Sequence, residues 1–335
     1  MILVTGGTGL VGSHLLYKLS QTEDRIRAIY RSEEKINGAK HVFSYYTEDV
    51  ESAFSKIEWV KGDLLDIPGL LNHFEDISVV YHCAALVSFD PSDYYALRKI
   101  NIEGTANIVN LSIANNIEKL CYVSSIAAIG EENPGIEITE DSPWNTEADH
   151  GPYAITKYGA EMEVWRGTQE GLNAIIVNPG IILGGGFWRS GSGSLFKRVY
   201  KGLSHYTNGI TGYVDIQDVI ETMTRLMNSD ISNERHIVVS ENWSFKEFTQ
   251  TVAANLNVKP PKKEAKPWQL QIAWRLDWLR HFLRGKRRRL TKQMSRSTLS
   301  ESVYSSSKVK TTIDLEFKPI EKSIQEVSRL FLREA

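Results

Sequence analysis

Two cysteines in 335 residues, Cys83 and Cys121, leave no disulfide framework. Both sit in apolar, strand-like runs and read as buried free thiols of a reducing compartment. The chain has no run of 18 apolar residues, which excludes a transmembrane helix. Its first apolar segment starts at Met1 and leaves no room for a secretory leader, so the expected location is the cytoplasm. The formal net charge of −2 argues against nucleic acid or a membrane surface as partner of the whole protein. Eight histidines show no metal-ligand spacing, so no metal is expected, and no internal repeat is present. What remains is a long globular chain with a small-molecule partner, able to bury a large core.

The most informative segment is Thr5-Gly6-Gly7-Thr8-Gly9-Leu10-Val11-Gly12. It follows the apolar run Met1–Val4 and precedes a helical pattern with Val11, Leu15, Leu16 and Leu19 on one face. Strand, glycine turn and helix in that order are the context of a dinucleotide-binding loop. Gly6 permits the tight turn, Gly9 lets backbone approach a pyrophosphate, and Gly12 allows close helix–strand packing. The helix N-terminus then offers free N–H groups and a positive dipole end to phosphate.

Short apolar runs alternate with helical patterns along the first two-thirds of the chain. Strands are predicted at 1–4, 25–30, 57–61, 78–83, 119–124 and 173–177. That alternation predicts an α/β fold with a doubly wound, Rossmann-type parallel sheet. After Asn178-Pro179-Gly180 comes a glycine-rich loop, Gly184–Gly193. A return through Gly212–Asp215 leads into a helix to about Met227, and Ile237–Val239 supplies a closing strand. Ser295–Ser307 reads as loop or weakly ordered chain.

Six motifs occur in a fixed order: the glycine loop; Gly62-Asp63-Leu64-Leu65-Asp66; Tyr81-His82-Cys83-Ala84-Ala85; Asn101-Ile102-Glu103-Gly104-Thr105-Ala106-Asn107; Tyr122-Val123-Ser124-Ser125; and Tyr153-Ala154-Ile155-Thr156-Lys157. Together they resemble the extended short-chain dehydrogenase/reductase (NAD-dependent epimerase/dehydratase) family, and its dihydroflavonol-reductase-like branch in particular. The resemblance implies a dinucleotide-binding domain of residues 1–179 with the return 212–240. It also implies a smaller, mostly helical substrate-binding lobe from 180–211 and 241–335.

By the same resemblance, Tyr153 is the acid/base and Lys157 its partner, Ser125 holds the carbonyl oxygen, and Asn101 positions backbone or a water. Three Tyr-x-x-x-Lys pairs occur, at Tyr95, Tyr153 and Tyr304. Only Tyr153 follows the serine pair on a helix opened by Gly151-Pro152. Ser125 is chosen over Ser124 because Gly130 follows it by five residues, the family's spacing. An (i, i+4) pair shares one helical face, so Lys157 is expected to reach the Tyr153 hydroxyl and a ribose. Its ammonium then lowers the phenol pKa. The dinucleotide contacts implied are Thr5, Gly6, Thr8, Gly9, Leu10, Val11, Gly12, Asp63, Leu64, Ala84, Ala85, Ser124, Tyr153, Lys157 and Pro179. Asp63 would meet the adenine amino group, or else serve as a turn cap. Val87, Ala127, Phe187 and Trp188 are expected to face substrate.

Relatives that prefer NAD carry an acidic residue at the end of the second strand. Here Tyr30 takes that place and Arg31 follows, which suits a 2′-phosphate and predicts NADP(H). The segment from Trp268 to Phe282 spaces Trp268, Ile272, Leu276, Leu279 and Phe282 helically, and a basic run, Lys286–Arg289, follows. Its favoured reading is a lobe helix packing its tryptophans over the pocket, the alternative a helix resting on an anionic membrane. The expected function is an NADP(H)-dependent oxidoreductase, monomer or homodimer, interconverting a ketone or aldehyde and a secondary alcohol on a small, partly apolar substrate. Two alternatives stand beside it. One is a nucleotide-sugar epimerase or dehydratase holding NAD tightly. Against it stand Tyr30, Asn178 where such enzymes carry arginine, and Ala127 where dehydratases carry an acid. The other is a non-catalytic NADP(H)-binding sensor.

Overall fold

The computed structural model describes every residue except 24, 134, 286, 287 and 289. Seven parallel strands form the central sheet: β1 (Ile2–Thr5), β2 (Ile26–Tyr30), β3 (Ile57–Lys61), β4 (Val79–His82), β5 (Lys119–Val123), β6 (Ala174–Pro179) and Glu234–Val238. Their order is Glu234–Val238, β6, β5, β4, β1, β2, β3. The chain winds outward from β1 through β2 and β3, then restarts at β4 on β1's other side. The order therefore reverses between β1 and β4, where open α/β sheets bind their ligands.

The strands are apolar throughout because helices cover both faces. Alternate residues supply opposite cores. Val4, Cys121, Val123, Ile175 and Val177 pack with Leu15 and Leu16 of the first helix, α1 (Leu10–Ser20). Leu3, Leu120, Tyr122 and Ile176 pack with Ile108, Val109 and Val164 on the other face. Cys121 is buried, whereas Cys83 is half-buried at the end of β4; both are free thiols.

A third core joins Leu183, Phe196, Tyr213, Phe248, Ile324 and Phe331. It is built by the helices Gly193–Tyr200, Phe245–Asn255 and Ile320–Glu334 on a small sheet. In that sheet Ile210–Asp215 pairs parallel with Ile181–Leu183 and antiparallel with Glu241–Ser244. The return predicted at 212–215 is thus a strand, and Asp215 caps the helix Ile216–Met227 that follows. The serine-rich stretch is ordered, contrary to its composition. Ser295 and Ser306 are buried, and the Ser306 hydroxyl accepts from the Val239 amide at 2.8 Å.

Candidate active site and dinucleotide cleft

The glycine loop leaves β1 at the reversal point. Gly6 adopts φ of 72°, and a Cβ there would stand 2.6 Å from the Ala84 amide nitrogen at the end of β4. A Cβ on Gly12 would collide with the Gly6 carbonyl oxygen. Only hydrogen fits at either place, so loop, helix and neighbouring strand end close together. The Gly9 amide donates to the Gly6 carbonyl at 2.9 Å, and no side chain caps α1. Thr8, Leu10 and Val11 lie half-buried along the loop and first turn. This cradle fits a pyrophosphate: glycine where backbone must approach, and uncapped N–H groups at a helix start.

Thr5 departs from expectation. Its hydroxyl is buried, pairs with His82 Nδ1 at 2.6 Å and accepts from the Ala84 amide at 3.3 Å. It stitches β1 to β4 and does not face the cleft. His82 Nε2 pairs with the Thr105 hydroxyl at 2.9 Å. Burial, with a smaller contribution from the Lys157 charge, lowers the His82 pKa to about 3, so the ring is neutral.

On the adenine side, Asp63 Oδ1 accepts from the Leu65 amide at 3.0 Å, the turn-capping geometry. The Leu64 carbonyl accepts from Asn107 Nδ2 at 2.8 Å, tying this turn to the helix Gly104–Ala114. Arg31 is exposed just beyond β2, and the parallel register sets exposed Lys61 beside Tyr30. Two cations therefore flank the strand end, the second unnoticed in the sequence because strand register is not written there. Ala84 is half-buried, Ala85 exposed, and Pro179 buried at the end of β6.

At the ends of β5 and β6 the chemistry-bearing side chains converge. Tyr153 and Lys157 lie on the helix Pro152–Gln169, and the Ser125 hydroxyl stands beside that of Tyr153. Burial pushes the Tyr153 hydroxyl up to about 12, and the nearby Ser125 hydroxyl only partly offsets this. The expected lowering by Lys157 is absent for a geometric reason. Lys157 Nζ donates instead to the Tyr122 hydroxyl at 2.7 Å and the Val123 carbonyl at 2.8 Å. It sits 4.4 Å from the Tyr122 ring centroid. Burial lowers its own pKa to about 7, against the pull of Glu161.

The two serines separate cleanly. Ser125 faces Tyr153 and accepts from the Ala127 amide at 3.1 Å, while the Ser124 hydroxyl donates to Glu161 Oε2 at 2.6 Å. Ser124 belongs to a buried network beneath the site, not to the cleft surface. In that network Glu161 also accepts from Asn178 Nδ2 at 2.8 Å and pairs with Arg235 at 3.2 Å. Asn178 donates as well to the Ser125 carbonyl at 3.0 Å, fixing that residue's backbone. Glu161 was missed in the sequence although it lies four residues past Lys157, on the same helical face.

Asn101 is a positioning residue. Buried in the π-helical turn Arg98–Glu103, it accepts from the Leu86 amide at 2.7 Å. It donates to the Leu86 carbonyl at 3.1 Å and the Thr156 hydroxyl at 3.2 Å. These bonds clamp the loop carrying Val87 and Phe89 to the Tyr153 helix. Val87 is 53% exposed, and Phe89 meets the Tyr153 ring edge-on at 5.4 Å. Phe89, absent from the sequence expectations, thus forms a wall of the cleft with half-buried Ala127 beyond Ser125.

Trp188 does not face this cleft. Its ring meets Phe331 at 5.1 Å and its Nε1 donates to Glu334 at 2.7 Å, inside the C-terminal core. Half-buried Phe187 precedes it in that loop, its carbonyl closing the turn at Ser190. The tryptophan-rich helix Pro267–Arg284 corrects a second expectation. None of its residues is buried, so its apolar face covers no pocket.

The NAD dependent epimerase/dehydratase family model matches residues 2–240. A putative dihydroflavonol 4-reductase of Synechocystis is 28% identical over 280 residues, covering 81% of this chain and 77% of its own. Cinnamoyl-CoA reductase 1 of Petunia hybrida is 25% identical, with 65% and 66% covered. Among solved structures, the UDP-glucose 4-epimerase of Thermotoga maritima superposes with a TM-score of 0.76 over 99% of both chains at 18% identity, a likeness of fold. The cradle at the sheet reversal and the Ser125–Tyr153–Lys157 cluster agree with that match: the chain belongs to the NAD dependent epimerase/dehydratase family, as an NAD(P)-dependent oxidoreductase of the extended short-chain dehydrogenase/reductase type.

Proposed function

We propose that the protein is an NADP(H)-dependent reductase or dehydrogenase that interconverts a ketone or aldehyde and a secondary alcohol on a small, partly apolar substrate. One observation carries this reading: Ser125 stands beside the Tyr153 hydroxyl, with Lys157 one turn along the same helix and the glycine cradle at the sheet reversal. The bound dinucleotide supplies or accepts hydride. A phenol with a pKa of about 12 is protonated at neutral pH, the form that donates to a carbonyl oxygen. Ser125 holds that oxygen by a hydroxyl hydrogen bond. Lys157, one turn along the same helix, supplies the positive charge that favours the tyrosinate left when Tyr153 gives up its proton. Asn101 keeps the Val87–Phe89 loop against Tyr153, and the apolar Phe89 wall excludes water from its ring face.

Arg31 and Lys61 would take a 2′-phosphate, and Gly6, Gly9 and Gly12 with the α1 amides the pyrophosphate. Segments 180–211 and 241–335 act as the substrate lobe, supported by their own apolar core. The names of the similar proteins, a dihydroflavonol reductase and a cinnamoyl-CoA reductase, support carbonyl reduction as the chemistry.

The test begins with protein purified without nucleotide. Protein that is empty, binds NADPH over NADH and oxidises it with ketones or aldehydes supports the reading. Stoichiometric NAD released on denaturation overturns it in favour of a nucleotide-sugar epimerase. Tyr153→Phe should lower kcat by about 10²–10⁴-fold with NADPH affinity retained. Unchanged turnover would remove Tyr153 from the reaction.

A further inference from the structure

The helix Pro267–Arg284 presents its apolar side outward. Trp268, Ile272, Leu276, Trp278, Leu279, Phe282 and Leu283 are all 43–72% exposed. At 100° per residue they fall on one continuous face, with Arg275 the only charge among them. Half-buried Leu270, Trp274, Asp277 and His281 occupy the opposite side, toward the protein. Soluble surface helices show the reverse arrangement, and contiguous apolar patches beyond a few hundred Å² mark interaction surfaces.

Charge identifies what covers this one. Between residues 259 and 292 the sequence holds twelve lysines and arginines against two acids, Glu264 and Asp277, in a chain of net charge −2. A second copy docked on the same face would bring two such cationic regions together, as a two-fold interface requires. Nucleic acid offers no apolar phase for Phe282 and Leu283. An anionic bilayer satisfies both, with tryptophans at the headgroup level and basic groups over the lipid phosphates. No helix of the described residues is long and apolar enough to span, so the helix would lie in the surface.

Its place in the fold links that surface to the cleft. Arg288 stands beside Asp90, next to Phe89 on the Tyr153 wall. Asp277 accepts from the Leu290 amide at 3.1 Å. Lys292 and Arg296 pair with Asp149, and Gln293 packs against Gly151 at the start of the Tyr153 helix.

We propose that Pro267–Arg284 seats the protein on an anionic lipid bilayer, with the mouth of the Tyr153 cleft at the membrane surface. This docking does not rest on the proposed reaction. The full chain is mixed with vesicles of phosphatidylcholine, alone or with phosphatidylglycerol, and sedimented. We expect at least ~10-fold tighter binding to the anionic vesicles, weakening with salt, and a blue-shifted tryptophan emission. The double variant L279E/F282E, altered only on the exposed face, should bind at least ~10-fold more weakly while retaining the circular dichroism of the parent. Absence of sedimentation with anionic vesicles, or binding unaffected by the double variant, overturns the proposal. Self-association of the parent that the double variant abolishes would give the face to a second copy and overturn it equally.

Discussion

Lys157 illustrates how burial and hydrogen bonding compete at one residue. Desolvation alone would neutralise it, while the Tyr122 hydroxyl and the Val123 carbonyl accept from the charged form and Glu161 adds a favourable field. Asn101 resolves another ambiguity: its amide is consumed by Leu86 and Thr156, so it holds a loop and meets no reacting atom. In the proposed reading, cofactor choice turns on Arg31. A charge-assisted bond to phosphate contributes roughly 1.5–3 kcal/mol. Arg31→Ala should therefore weaken NADPH binding by about 10–100-fold and leave NADH binding unchanged. Fluorescence titration with both nucleotides checks this, and equal losses for both would place Arg31 away from the 2′-phosphate.

Elements explain why the glycines are unequal. Gly12, one turn into α1, abuts the Gly6 carbonyl across the β1–α1 junction, whereas nothing lies within 4 Å of a Cβ built on Gly38 in the helix Ile36–Phe43. Gly12→Ala forces helix and strand apart. It should cost about 1–3 kcal/mol of stability and weaken dinucleotide binding at least ~10-fold. Gly38→Ala should instead stabilise by up to ~1 kcal/mol, because alanine loses less backbone entropy in a helix. Urea denaturation of the two variants separates packing from entropy, and equal effects would contradict the close contact at Gly12.

Across the whole molecule, three histidines are buried neutral. The pKa of His82 falls to about 3 and those of His14 and His236 to about 4, chiefly through burial. The unfolded chain binds these protons near pH 6.5, the folded one only below about 4. Their stability is therefore complete above 6.5 and is lost as pH falls toward 4. Asp218, raised by burial to about 6, acts in the opposite sense and offsets one of them. A net difference of two protons gives a slope of roughly 2–3 kcal/mol per pH unit near pH 5. Thermal unfolding of nucleotide-free protein should show a sharply lower Tm at pH 5 than at pH 7. An unchanged Tm would mean that two of these rings are charged in the fold.

Local periodicity and short motifs were enough to read the doubly wound sheet and the glycine turn between its first strand and helix, because backbone sterics and helical spacing act within a few residues. Contacts between distant segments were not readable that way. Strand register set Lys61 beside Tyr30, and helix packing turned Ser124 to Glu161 and Lys157 to Tyr122. Phe331 and Glu334 drew Trp188 into the C-terminal core. The helix Pro267–Arg284 shows the limit most plainly. Its spacing marks an apolar face, yet whether that face meets protein or solvent depends on where the rest of the chain leaves room, and here it is left exposed.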